Sequence, residues 1–91
     1  MYLIEDGMID LSTVGKAIKE RRKELALSQQ GLADLAKVAR NRIALLETDR
    51  LPEIGFTTLL KIMHAIGLDL RVTTLNRQRP TLEDLRADKE R

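Results

Sequence analysis

Apolar residues recur at helical spacing in four short segments between residues 14 and 66, and this succession constrains the fold more than any other feature. Three segments are VGKAIKERRKEL (14–25), QQGLADLAK (29–37) and RNRIALLET (40–48), and the fourth runs from Gly55 or Phe56 through Ala65. Spacing of three and four residues places the apolar side chains on one face of each helix. We therefore expect four amphipathic helices around a common core, in a mainly α fold.

Polar and glycine residues mark where these helices begin and end. Ser12 or Thr13 is expected to cap the first helix, and Ser28 the second. Pro52 ends the third segment, and Gly67 suits the left-handed position that follows the fourth helix. The residues predicted to face inward are Val14, Ala17, Ile18, Leu25, Leu32, Leu35, Ala36, Ile43, Leu46, Glu47, Phe56, Leu59, Leu60, Ile62, Met63 and Ile66.

Composition narrows the range of possible functions. The 91 residues suffice for one small domain, and with only 2% aromatic residues its core is aliphatic. The chain has no cysteine, one histidine (His64, expected to be a surface residue or a hydrogen-bonded one) and two serines, so we expect no enzyme, no metal site and no cofactor. It has no apolar run long enough for a membrane span and no basic, apolar start typical of a signal peptide, which indicates a cytoplasmic protein.

Charge is unevenly distributed along the chain. Residues 1–13 carry three acids and no base, whereas residues 14–51 carry nine bases and five acids. The remaining residues, 52–91, carry seven bases and six acids. A basic central block favours an anionic polymer as partner, although an ordinary solvated face would have the same composition.

Residues 28–47, SQQGLADLAKVARNRIALLE, have the pattern of a helix-turn-helix motif. Two short helices are separated by a tight turn near Lys37. Ala33 is small where the helices should cross, and Val38 and Ile43 supply the apolar contacts that pack the second helix on the first. In such motifs the second helix enters the major groove of DNA.

Together with the preceding helix, this stretch resembles the Xre family of lambda-repressor-like regulators. The resemblance covers residues 14 to about 67. It is carried by Gly15, Ile18, Arg22, Leu27-Ser28-Gln29, Leu32-Ala33, Val38, Ile43 and Glu47. It implies a lambda-repressor-like bundle of four or five helices that binds double-stranded operator DNA.

The resemblance also implies roles for individual residues. The start of the recognition helix would read base edges through Arg40, Asn41 and Arg42, with Ala44 and Leu45 one turn later. Arginine pairs with guanine and asparagine with adenine, so this set is able to discriminate bases. Phosphate contacts are implied for Ser28, Gln29, Gln30, Arg22 and Arg50.

Arg22 and Glu47 match a pair that forms a buried ion pair in the family, joining the first helix to the recognition helix.

Two residues depart from the family pattern. Gly31 stands where an acidic residue would complete a capping box, and Ala39 stands where a serine or threonine often caps the recognition helix. Both departures weaken local helix stability without removing a base-reading residue.

After Gly67 the pattern changes to alternation. Residues 68–75, LDLRVTTL, predict a β-strand. Because a lone strand leaves its backbone groups unpaired, this strand should pair with an identical strand across a homodimer, or else with residues 1–4 of its own chain. Leu68, Leu70, Val72 and Thr74 would form the interface face. The predicted organisation is a leader (1–13), a DNA-binding domain (14–67), a dimerisation strand (68–75) and a charged tail (76–91) that includes a possible short helix.

A fourth helix followed by a strand resembles the HipB-like antitoxins. This resemblance implies an autorepressing antitoxin that neutralises a HipA-like toxin kinase. Two alternatives are a stand-alone Xre-family repressor without a toxin and an interaction module that has lost DNA binding. Arg40, Asn41 and Arg42 argue against the second alternative.

Overall fold

The computed structural model describes residues 9–74 as four α-helices, in agreement with the mainly α prediction. They are α1 (Leu11–Glu24), α2 (Gln29–Ala36), α3 (Arg40–Glu47) and α4 (Phe56–Ala65). The predictions for residues 1–8, Leu75 and the tail 76–91 lie outside the described residues.

The helix α1 begins earlier than the sequence suggested, and its cap is Asp10 rather than Ser12 or Thr13. Asp10 Oδ1 accepts hydrogen bonds from the Thr13 backbone N–H (2.8 Å) and from Thr13 Oγ1 (2.7 Å). These bonds to the ionised form lower the pKa of Asp10. With the cap at Asp10, Leu11 joins the helix and packs against the core.

An aliphatic core holds the helices together, with α3 packed on α1 and α2, and α4 packed on α2. Its buried members are Val14, Ile18, Leu32, Ala33, Ala36, Ile43, Leu46, Leu59, Ile62, Met63 and Ile66. Three residues predicted to be inside are instead exposed: Leu25 (42%), Leu35 (57%) and Phe56 (66%). Leu25 and Phe56 lie at helix ends, where the apolar stripe runs past the edge of the core.

The helices α1 and α3 approach closely enough for their backbones to touch. A Cβ atom on Gly15 would overlap the carbonyl oxygen of Leu46 and lie 3.1 Å from its carbonyl carbon. Glycine at this position allows the two helices to cross without displacement.

All four helices end in the same way, through one residue with positive φ. These residues are Ala26 (57°), Lys37 (61°), Asp49 (61°) and Gly67 (79°). The next residue in each case donates its N–H back over the last turn, for example Leu68 to the Met63 carbonyl at 2.9 Å. This is the Schellman type of ending, and only at Gly67 did the sequence predict it.

The strand expected at residues 68–75 is not formed in the part of it that the structure describes, residues 68–74. Leu68 and Leu70 pack partly against the core, whereas Val72 is fully exposed. An extended segment becomes a strand only when a neighbour completes its hydrogen bonds, and residues 9–74 of a single chain provide no such neighbour.

Candidate nucleic-acid interface

The N-terminus of α2 presents two open backbone donors. Ser28 caps it, as predicted, with Oγ accepting the Gly31 N–H at 2.8 Å. The Leu32 N–H donates to the Ser28 carbonyl at 3.0 Å. The N–H groups of Gln29 and Gln30 donate to nothing between residues 9 and 74. Free N–H groups at the positive end of a helix favour an anion.

A three-residue turn connects α2 to α3. Lys37 adopts the left-handed conformation, and the Val38 N–H returns to the Ala33 carbonyl at 3.0 Å. Ala33 is buried, so α3 packs directly against α2 as the small residue predicted. This geometry is a helix-turn-helix motif.

The first turn of α3 is exposed and has no side-chain cap. Ala39 occupies the N-cap position and makes no side-chain hydrogen bond. Arg40, Asn41 and Arg42 are exposed, and their side chains form no hydrogen bond or ion pair within residues 9–74. Ala44 is half-buried. Three unengaged polar side chains on one helical turn are available to a partner.

Two further residues from the predicted set lie at the other end of α3. Leu45 is half-buried, and its carbonyl accepts the Arg50 N–H at 2.9 Å. Arg50 is exposed, and its guanidinium has no partner in the described part of the chain. It follows the left-handed Asp49, which turns the chain away from the helix axis.

Arg22 and Glu47 form a buried, bidentate ion pair between α1 and α3. Arg22 Nε donates to Glu47 Oε2 and Arg22 NH2 donates to Glu47 Oε1, both at 2.8 Å. The remaining terminal nitrogen, NH1, donates to the Leu27 carbonyl at 2.8 Å. The hydrogen bonds to Glu47 raise the pKa of Arg22. Arg22 is 8% exposed and each of its three guanidinium nitrogens donates one hydrogen bond, so the predicted ion pair is formed. The phosphate contact predicted for Arg22 stays a prediction.

Two contacts near this junction were missed by the sequence analysis. Gln29 Nε2 donates to Glu47 Oε1 at 3.2 Å, which adds α2 to the pair that joins α1 and α3. Arg21 Nε donates to the Ile66 carbonyl at 2.9 Å, which links α1 to the end of α4. The partners are 18 and 45 residues apart, and no spacing rule in the sequence indicates them.

His64 is exposed and its Nε2 lies 2.9 Å from Asp69 Oδ1, a contact that lowers the pKa of Asp69.

Within the described range, no group of three or more His, Cys, Asp or Glu side chains is arranged to hold a metal ion. No helix there is both long and apolar enough to cross a bilayer.

Comparison with known families agrees with this geometry. A family model described as helix-turn-helix matches residues 18–72, more than half of the chain. No curated protein matches the sequence. The matched residues include the whole of α2, α3 and α4 and the second half of α1. The chain therefore belongs to the Xre-like helix-turn-helix family of DNA-binding transcription regulators.

Proposed function

We propose that the protein represses transcription from a specific operator by placing the first turn of α3 in the major groove. The proposal is supported by the contrast between the exposed first turn of α3 and its buried face. Within residues 9–74, Arg40, Asn41 and Arg42 have no side-chain partner at the exposed end of α3, while Ile43 and Leu46 fix its other face in the core. Arg40, Asn41 and Arg42 would contact base edges, and Ala44 and Leu45, one turn later, would add apolar contacts such as one to a thymine methyl.

The N-terminus of α2 would then lie on the DNA backbone. Ser28, Gln29 and Gln30 surround the two open N–H groups, a suitable site for one phosphate. Arg50, exposed and unpaired in residues 9–74, would supply a second contact. These contacts hold the protein in register but carry no sequence information.

Titration of DNA tests this assignment. Duplexes selected from a random library define the preferred site, and a mixed-sequence duplex at the same salt measures general binding. Arg40→Ala or Asn41→Ala is expected to cost about 1–3 kcal/mol on the selected site and less on the mixed duplex. Gln29→Ala should weaken both duplexes by a similar factor.

Lys61 on α4 provides the matched control, because it is an exposed base outside the motif. Lys61→Ala removes the same charge as Arg40→Ala and should change both affinities little. Equal losses on both duplexes for Arg40→Ala would reduce that residue to a phosphate contact. A comparable loss for Lys61→Ala would refute the placement of α3 in the groove.

We propose further that two chains pair through residues 68–75 in an antiparallel sheet, with Leu68, Leu70, Val72 and Thr74 at the interface. The full exposure of Val72 supports this, as does the absence of a strand partner within residues 9–74. A two-fold axis there would set the α3 helices about 34 Å apart, the spacing of successive major grooves.

Val72→Pro removes a backbone donor and should give monomers with weak operator affinity. Light scattering at micromolar concentration measures both forms. A wild-type monomer, or an unchanged dimer in the variant, would instead favour pairing with residues 1–4.

The finer proposal is that this regulator is a HipB-like antitoxin for a HipA-like toxin kinase. It rests on the resemblance of the segment from α4 to Leu75, and a stand-alone repressor is the alternative. A kinase-type reading frame directly downstream, and co-purification of the two products, would support the antitoxin role. A gene with no such neighbour would favour the stand-alone repressor.

A further inference from the structure

The side-chain amide of Gln29 is anchored to a buried carboxylate. Its Nε2 donates to Glu47 Oε1 at 3.2 Å, and the same oxygen accepts from Arg22 NH2 at 2.8 Å. The Glu47 side chain is only 1% exposed, and Arg22 fixes it at both oxygens. The carboxylate therefore cannot move to follow Gln29, and the amide is the group that is held in place.

The anchored amide keeps part of its bonding capacity. An amide nitrogen has two hydrogens, and its carbonyl oxygen is an acceptor. Gln29 is half-buried, and its second N–H, its side-chain oxygen and its backbone N–H have no partner in residues 9–74. Two donors from one residue are thus available at the N-terminus of α2.

We propose that Glu47 is a positioning residue for DNA binding, which fixes the Gln29 amide so that its second N–H and the backbone N–H meet the same phosphate. This rests on the phosphate role proposed above for Gln29. A free glutamine side chain would have to be ordered at the moment of binding, and that ordering weakens association. Here the buried carboxylate orders it beforehand.

Arg22 is required for this arrangement to favour DNA. An unpaired carboxylate close to a phosphate would repel it and weaken binding. Arg22 donates to both Glu47 oxygens, so the carboxylate orients Gln29 while its charge is balanced. The pair therefore has a part in recognition as well as in joining α1 to α3.

Replacement of the ion pair by apolar side chains tests the proposal. In Arg22→Met/Glu47→Leu the carboxylate is absent but no charge is left buried, a type of change that often preserves stability. Gln29→Ala is then measured in both backgrounds on a mixed-sequence duplex at fixed salt. We expect it to cost about threefold to tenfold in the wild-type background and less than about twofold in the apolar one.

Nuclear magnetic resonance of the side-chain amides, in the absence of DNA, reports directly whether the Gln29 side chain is ordered, which affinity measurements do not. The Gln29 amide resonances should indicate an ordered side chain in the wild type and become those of a mobile one in Arg22→Met/Glu47→Leu. Gln30 is the internal control, because its Nε2 donates to Asp34 Oδ1 at 2.8 Å on the same helix without contacting Glu47. Its resonances should be the same in both proteins.

The possible results separate the positioning role of Glu47 from the phosphate contact of Gln29. A mobile Gln29 amide in the wild type overturns the positioning role, and this measurement does not depend on a variant that folds. An equal cost of Gln29→Ala in both backgrounds overturns it as well, but leaves the phosphate contact intact. An anchored amide with no cost of Gln29→Ala in the wild type overturns the phosphate contact, and the positioning role is lost with it.

Discussion

The two ends of α3 differ in how far their polar groups are satisfied within residues 9–74. Where α1 meets α3, Arg22 and Glu47 use their charged groups on each other, and Gly15 lies against the Leu46 carbonyl. In the first turn of α3, Ala39 leaves the helix uncapped, and the polar side chains that follow are free within residues 9–74. Less than three helical turns separate the two regions.

A small domain can thereby keep its helices in a fixed orientation and still offer a surface to a partner. The junction of α1 with α3, which we call the fixed region, sets the orientation of α3 and should control stability. The first turn of α3, which we call the open region, has polar side chains that a partner can bind and should control DNA binding. Each of the following predictions tests that separation.

Salt should act strongly on the open region. If a dimer contacts about 6–10 phosphates, affinity for DNA should fall by roughly 10³–10⁵ between about 50 and 200 mM salt. The buried ion pair is shielded from ions, so the free energy of unfolding should change far less over the same range. Fluorescence anisotropy measures the affinity for DNA, and urea unfolding at the same salt concentrations measures the free energy of unfolding. A flat binding response would rule out DNA contact by this surface.

Glu47→Ala should produce the largest loss of stability. It leaves the Arg22 charge buried without a partner, which costs about 3–5 kcal/mol in the free energy of unfolding. Urea denaturation followed by circular dichroism measures it. Glu24→Ala is the control, because it breaks an exposed ion pair with Arg21 (3.2 Å) and should cost less than about 1 kcal/mol. Similar losses in the two variants would mean that the buried junction does not orient α3.

Gly15→Ala tests the close approach of α1 and α3. The added Cβ meets backbone rather than a flexible side chain, so the helices must separate, at a cost of about 1–3 kcal/mol. Thermal and urea unfolding report the loss. Gly55→Ala provides the comparison, since a Cβ there would meet only Thr58 Oγ1, at 3.9 Å. A variant as stable as the wild type would show that α1 and α3 can separate enough to accept the Cβ atom without cost.

Ala39→Ser should give the smallest effect, and in the opposite direction. A serine oxygen at the N-cap can accept an N–H of the first turn, as Ser28 does in α2, and should add about 0.5–1 kcal/mol to the free energy of unfolding. Ser28→Ala is the reciprocal change and should lose a similar amount. No gain in Ala39→Ser would indicate that packing, rather than capping, determines where α3 begins.

Sequence periodicity was sufficient to locate α2, α3 and α4, because their apolar positions follow the helical repeat and Ser28 and Gly67 mark two of their boundaries. It misplaced the start of α1. Asp10, Ser12 and Thr13 are all good caps, and the choice among them depends on whether Leu11 packs against the core. That is a tertiary contact, which a local pattern does not contain.

The remaining differences also lie beyond residue type and local spacing. Ala26 and Lys37 are left-handed at the Schellman-type endings of α1 and α2, although neither residue type favours that conformation. The hydrogen bond from Gln29 to Glu47 depends on the angle between α2 and α3. Alternation at residues 68–75 predicted a strand, but a strand also requires a partner, and alternation within one segment does not specify one.

The shortness of α2 and α3 has a consequence for amide hydrogen exchange. Each has eight residues, and an isolated helix below about 12–15 residues is marginal in water. To open α3 alone would require Ile43 and Leu46, both almost fully buried, to leave the core. Amides in the middle of α3 should therefore exchange only when the whole domain opens, so the proposed recognition helix should persist as long as the folded domain does.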